Sequence, residues 1–201
     1  ILKLTAVAVA ALLSIAATDA PHPDWTSQIA VSPSGSHVVG NPAAEVKLAE
    51  YISYTCPHCA HFHEEADGAL RMVYIPQGKV SVEVRHLVRD PVDLTAAMLV
   101  NCGDKAQFFQ LHNAFLRSQD QWLERMGRAT AGQKQRWTSG PMAQRLRAIA
   151  SDFGFYDIAE QRGISRGDAN RCLADDALGK KLVGQTQAAI TAGVQGTPSF
   201  M

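Results

Sequence analysis

No block of single-sign charge runs through this sequence. Its 19 basic and 19 acidic residues leave a formal net charge of +0 at pH 7, so no chain-wide field recruits nucleic acid or anionic lipid, and specificity has to come from a local site. Long hydrophobic runs are missing too. The longest extends from Leu4 to about Ala17 and is too short for a comfortable membrane span. With Lys3 ahead of it and an Ala/Ser-rich end, the stretch at residues 1–20 predicts a secretory signal peptide, with a retained anchor as the alternative. Ser14/Ala16 or Thr18/Ala20 supplies the small-residue cleavage pair. No Met starts the chain, so that peptide reads as incomplete. No internal repeat is present. What remains, 201 residues at 46% apolar, is enough to bury a core as one domain or as one domain carrying a large insertion.

Cysteine is sparse: 4 residues, at positions 56, 59, 102 and 172. Export would let thiols persist as disulfides, which a cytosol would reduce. The three-residue spacing in EYISYTCPHCAHFHEE assigns Cys56 and Cys59 to one another.

Elements can be read around that pair. Residues 21–37, rich in Pro and Gly, predict an irregular leader, with at most a short edge strand before residue 45. VKLAEYISY at 46–54 predicts a buried strand ending at Cys56. From Cys59 on, Phe62, Ala66, Ala69/Leu70 and Val73 recur at helical spacing, and KVSVEVRHLV at 79–88 predicts a second strand. This is a βαβ unit, within residues 38–90. Residues 91–192 then stay helical, with apolar faces at Leu94/Met98, at Phe108/Leu111/Phe115 and at Leu146/Ile149/Phe153. Ser165 and Asp168 open the helix carrying Cys172, and Asp175 or Asp176 opens the next. Residues 127–141, basic and Gln-rich, predict a solvated loop, and VQGTPSFM in 193–201 a return to strand. From local sequence alone, Pro198 reads as a trans turn.

A cysteine that ends a strand and opens a helix meets unsatisfied backbone N–H groups and the positive end of the helix dipole, which favours a thiolate at Cys56. His58 adds a positive or N–H-donating neighbour. A stabilised reduced form makes the disulfide a stronger oxidant, so Pro57 and His58 argue for a disulfide donor. A c-type haem tether would need His at position 60, where Ala stands. A zinc site from Cys56, Cys59, His61 and His63 has the right atoms, but His61 projects away from Cys59. A purely structural disulfide would close too short a loop to contribute much stability.

EYISYTCPHC, the helical insertion and GTPSF together resemble the DsbA family of secreted thiol:disulfide oxidoreductases, over roughly residues 38–201. The resemblance implies an α/β thioredoxin-like fold with a large helical insertion between the βαβ unit and a cis-proline strand. It implies a periplasmic, monomeric enzyme that passes its disulfide to reduced or unfolded exported proteins and is reoxidised by a DsbB-type membrane oxidase, with no cofactor or metal. By resemblance, Cys56 is the nucleophile, Cys59 the resolving cysteine, Pro57 and His58 set the potential, and Pro198 is the cis proline facing the disulfide. Thr197 before it presents backbone groups to substrate. Glu50 matches an acidic position beneath the active site that handles a proton; the alternative is a carboxylate with its head in solvent. His61 and His63 read as solvated. Cys102 and Cys172 are either bonded, as some relatives have a second disulfide in this domain, or two buried thiols. The family continues past its cis proline, so the chain reads as truncated.

Two rivals stand beside this reading. One is an isomerase or reductase of the same fold, which commonly relies on a dimerisation module larger than the leader. The other is a non-enzymatic metal-binding or chaperone-like module.

Overall fold

The computed structural model describes residues 23–201. The signal-peptide reading of residues 1–20 lies outside them. Five strands form one sheet in the order β1-β2-β4-β3-β5, where β1 is Ile29–Val31, β2 His37–Gly40, β3 Val46–Ile52, β4 Val80–His86 and β5 Ser199–Phe200. The central pair β3 and β4 is parallel, in register from Val46↔Val80 to Ile52↔His86. Helix α1, Pro57–Ala69, connects them, and its last turn widens into a π-helical segment, Leu70–Tyr74. The outer strands run antiparallel, with β5 pairing Glu50↔Phe200 and Tyr51↔Ser199. This is the thioredoxin-like sheet.

Two strands form where composition predicts an irregular leader. Ile29–Val31 and His37–Gly40 make a hairpin whose second strand pairs with β4, with His37 stacked on Phe108 at 3.8 Å between ring centroids. Burying one face of that hairpin gives an ordered sheet to a segment whose Pro and Gly content alone suggests none.

The insertion comprises α2 (Pro91–Val100), α3 (Lys105–Arg117), α4 (Gln119–Gly127), α5 (Ala131–Thr138), α6 (Met142–Phe153), α7 (Phe155–Glu160), α8 (Arg166–Cys172) and α9 (Asp176–Thr191). Side-chain caps fix several starts. Asp90 accepts from the N–H groups of Val92 and Asp93, Asp104 and Gln107 form a capping box, Ser165 caps α8 and Asp175 caps α9. The loop expected at 127–141 is corrected by α5. Thr130 and Gln133 close a capping box at its start, Trp137 is buried, its ring 5.1 Å from Phe153, and Asp152 takes Trp137 Nε1–H and the Arg136 guanidinium. One buried aromatic and one ion pair give this polar helix its tertiary anchor.

The main core joins sheet and insertion through Ile52, Tyr54, Phe108, Leu111, Phe115, Trp122, Phe153 and Phe155, all under 2% exposed, and a smaller cluster gathers Tyr51, Ala189 and Val194. No helix among the described residues is long and apolar enough to cross a membrane.

Candidate active site

Strand gives way to helix at Cys56. Its backbone is extended (φ −96°, ψ 113°), it stands as the N-cap of α1, and Pro57 occupies the first turn, where a missing N–H leaves no helical acceptor unpaired. Two carboxylates shape the turn that delivers it. Asp93 accepts from Ser53 Oγ at 2.6 Å, Tyr54 N–H at 2.7 Å and Arg89 N–H at 2.9 Å, and Asp90 accepts from Thr55 Oγ1 at 2.8 Å. Ser53 and Tyr54 thus bond to a side chain instead of a neighbouring strand, so β3 stops at Ile52 and not at the predicted residue 54.

The segment before β5 closes over the helix start. The Thr197–Pro198 peptide bond is cis, unlike the trans turn that local sequence favours. Cys56 Sγ–H donates to the Thr197 carbonyl at 3.2 Å. Both cysteines are free thiols, Cys56 2% and Cys59 0% exposed. Burial pushes the Cys56 thiol up, but the Thr197 hydroxyl, the Cys59 N–H and thiol, and the His58 N–H outweigh it and hold the group below its ordinary value. Thr197 Oγ1 is buried without a hydrogen-bond partner, leaving its hydroxyl free to turn toward the anion. His58 contributes through its backbone, while its side chain stands exposed.

Cys59, one turn further in, experiences the reverse. Burial pushes its thiol up to about 12, and the backbone hydrogen bond associated with Ser53 offsets only part of that rise. Glu50, on β3, is 6% exposed, which corrects the alternative of a solvated head. Burial first, and the Asp67 carboxylate second, raise it to about 7.

The remaining candidates separate. His61 is on the surface beside Glu65 at 3.4 Å. The solvated reading of His63 is corrected: it follows Cys59 by one helical turn, faces inward, is 6% exposed, and sits edge-on to His112 with ring centroids 5.2 Å apart. The two histidines therefore leave α1 in different directions. Among the described residues no three of His, Cys, Asp or Glu are grouped to hold a metal.

A family model described as thioredoxin matches residues 32–201. The chain belongs to this thioredoxin family. Proteins bearing the name protein-disulfide oxidoreductase in Rickettsia typhi and Rickettsia conorii are each 33% identical to it over 165 residues, 81% of this chain. The chain spans about half the length of these relatives, 53% and 51%. Among solved structures, the protein-disulfide isomerase of Novosphingobium aromaticivorans is 50% identical, with a TM-score of 0.79, covering 83% of this chain and 86% of that one. Alpha-DsbA1 of Wolbachia pipientis is 26% identical, with a TM-score of 0.67, covering 85% and 75%.

In this DsbA-like chain, two positioning residues escape sequence reasoning. Asp93 is one; its acidic position in the first turn of a Pro-started helix hints at a cap, not at a grip on Ser53 and Tyr54. The other is Gln119, 1% exposed, whose Nε2 donates to the carbonyls of Tyr54 at 2.6 Å and Cys56 at 3.0 Å. No local pattern marks it. Cys102 and Cys172 are bonded, with α-carbons 5.8 Å apart across 70 residues of sequence, which resolves the two open alternatives.

Proposed function

We propose that this DsbA-like chain is a periplasmic thiol:disulfide oxidoreductase that donates its Cys56–Cys59 disulfide to reduced exported proteins, is reoxidised by a DsbB-type membrane partner, and acts as a monomer. One arrangement carries the reading: Cys56 caps α1 with its thiol on the Thr197 carbonyl beside cis Pro198, where it is held below its ordinary value, while Cys59 is fully buried one turn further in and pushed up to about 12. A pair so divided has a good leaving group facing the substrate and a poor one behind it.

The chemistry balances as follows. A substrate thiolate attacks Cys56 Sγ of the disulfide, and the electrons of the broken S–S bond leave on Cys59 Sγ, which takes up a proton. A second substrate thiolate attacks the substrate sulfur of the mixed disulfide and Cys56 departs as the stabilised thiolate. The substrate dithiol loses two electrons and the couple gains two. Each pKa unit of depression at Cys56 favours the reduced form by about 1.4 kcal/mol, or about 30 mV. The Thr197 backbone pairs with an extended substrate segment beside Pro198, and Pro57 and His58 set the potential. The Cys102–Cys172 bond suits an oxidising compartment.

The name of the Novosphingobium relative, at 50% identity, favours a second reading, disulfide isomerisation. The reduction potential of the Cys56/Cys59 couple against glutathione, together with refolding of reduced and of scrambled ribonuclease, separates the two. A couple well above the glutathione potential that oxidises reduced ribonuclease supports donation. A low potential with activity only on scrambled ribonuclease supports isomerisation instead.

A further inference from the structure

Cys59, His63, Asp67 and Arg71 follow one another at intervals of four along α1 and its widened last turn. They form a ladder from the buried thiol toward the surface. Arg71 Nε donates to Asp67 Oδ1 at 2.6 Å, and the largely exposed Arg117 of α3 reaches Asp67 Oδ2 at 3.6 Å. His63 Nε2 lies 4.0 Å from the same Oδ2, beyond a direct hydrogen bond, and is a buried nitrogen without a partner. A cavity of about 20 Å³ lies here, bordered by Glu50 from β3, by His63, Asp67 and Arg71, and by His112 of α3. That is room for one water with polar groups to hold it. Glu50 and His63 border the same space from opposite elements, β3 and α1.

We propose that His63, backed by Asp67, is the proton exit of the Cys56/Cys59 couple, exchanging a proton with Glu50 through one water in this cavity. The inference rests on the dithiol/disulfide reading of the site. When Cys59 leaves as a thiolate, Glu50 gives it a proton and becomes a carboxylate. The cavity water then protonates Glu50 and is replenished by His63, whose neutral imidazole first accepts a proton at Nε2 from solvent beside Asp67, 12% exposed. Oxidation runs the same steps backward, so protons are conserved and no further reactant is needed. Charge on the imidazole is favoured by Asp67 and opposed by Arg71 and Arg117, while burial holds His63 below its ordinary value and thus neutral and accepting near pH 7. His112 faces it edge-on and is also neutral.

The test uses the full chain with His63→Phe, which keeps an aromatic ring beside His112, and with Asp67→Asn, which removes the carboxylate charge while keeping the side chain's size. Disulfide reduction by dithiothreitol is followed in H2O and D2O from pH 5 to 8, and Glu50 is titrated by carbon-13 NMR. The relay predicts that both variants slow reduction about tenfold near pH 7, raise the solvent isotope effect and shift the Glu50 midpoint. Variants that fold and match the wild type in all three readouts overturn it, while the couple still cycles. A wild-type pair that forms no reversible disulfide removes the dithiol reading and the relay with it.

Discussion

Gln119 donates its side-chain N–H to the Cys56 carbonyl at 3.0 Å, fastening the first residue of α4 to the residue that opens α1. The same nitrogen holds the Tyr54 carbonyl. The insertion is therefore not an appendage to the sheet: it fixes the backbone on which the reactive sulfur sits. Gln119→Ala leaves the buried Tyr54 carbonyl without a donor and takes from the Cys56 carbonyl its side-chain donor, leaving the N–H groups of Cys59 and Ala60, and should cost about 1–3 kcal/mol of stability. Urea unfolding of the reduced protein measures the loss, and faster alkylation of Cys56 in the folded variant would report the loosened turn.

Glu50 supplies a stability signature with a definite sign. Its folded carboxyl titrates near 7 against an ordinary 4.5, so the folded chain holds a proton that the unfolded chain has released. The resulting stabilisation is complete below pH 4.5 and disappears as pH rises through 7. Glu50→Gln should match the wild type at pH 4 and exceed it above pH 7 by up to about 3 kcal/mol. Equal denaturation midpoints at pH 8 would contradict a buried, raised carboxyl. The variant should also alter the pH dependence of dithiol oxidation.

Histidines act in the opposite direction. His86, 2% exposed, is pushed down to about 3 by burial and then by His37, which is itself lowered to about 4. Its Nε2 accepts from Asn101 Nδ2 at 3.0 Å. A base lowered in the folded state contributes stability that is whole above pH 6.5 and lost as pH falls toward 3. Between pH 7 and pH 4 the protein should lose about 3 kcal/mol through His86 alone. His86→Gln should flatten that slope, measured as denaturation midpoint against pH.

The Cys102–Cys172 bond closes a loop of sequence separation 70, which the chain-entropy model values at about 4 kcal/mol. Replacing both cysteines with Ser should lower stability by up to that amount. The potential of the Cys56/Cys59 couple should remain nearly unchanged, because Cys102 lies between α2 and α3 and Cys172 at the end of α8, away in sequence from α1 and the cis-proline segment. A large change in potential would show that the staple also sets the redox poise.

Several of these features were legible in the sequence because they depend on local pattern. Alternating valines in β4, helical spacing after Cys59 and the caps at Ser165 and Asp175 are short-range signals, and each appears in the fold. The features that were not legible depend on partners distant in sequence. His63 is polar on a helix that is polar in composition, and only packing against His112 turns it inward. Trp137 makes a helix of a basic stretch because Phe153 and Asp152 are waiting for it. Gln119 reaches back 63 residues to Cys56, a pairing that no periodicity encodes. The proline at 198 is cis, whereas the residues around it favour trans when read alone; the family resemblance carried the right expectation because it includes the sheet across from the cysteines.

The most direct measurement is a thiol-by-thiol titration of the reduced protein, following alkylation of Cys56 and Cys59 separately by mass spectrometry from pH 4 to 11. Cys56 should become reactive below the range of an ordinary thiol while Cys59 stays largely protonated through the whole interval. If Cys56 ionises at or above an ordinary thiol, or if both cysteines react in parallel, the asymmetry on which disulfide donation rests is absent.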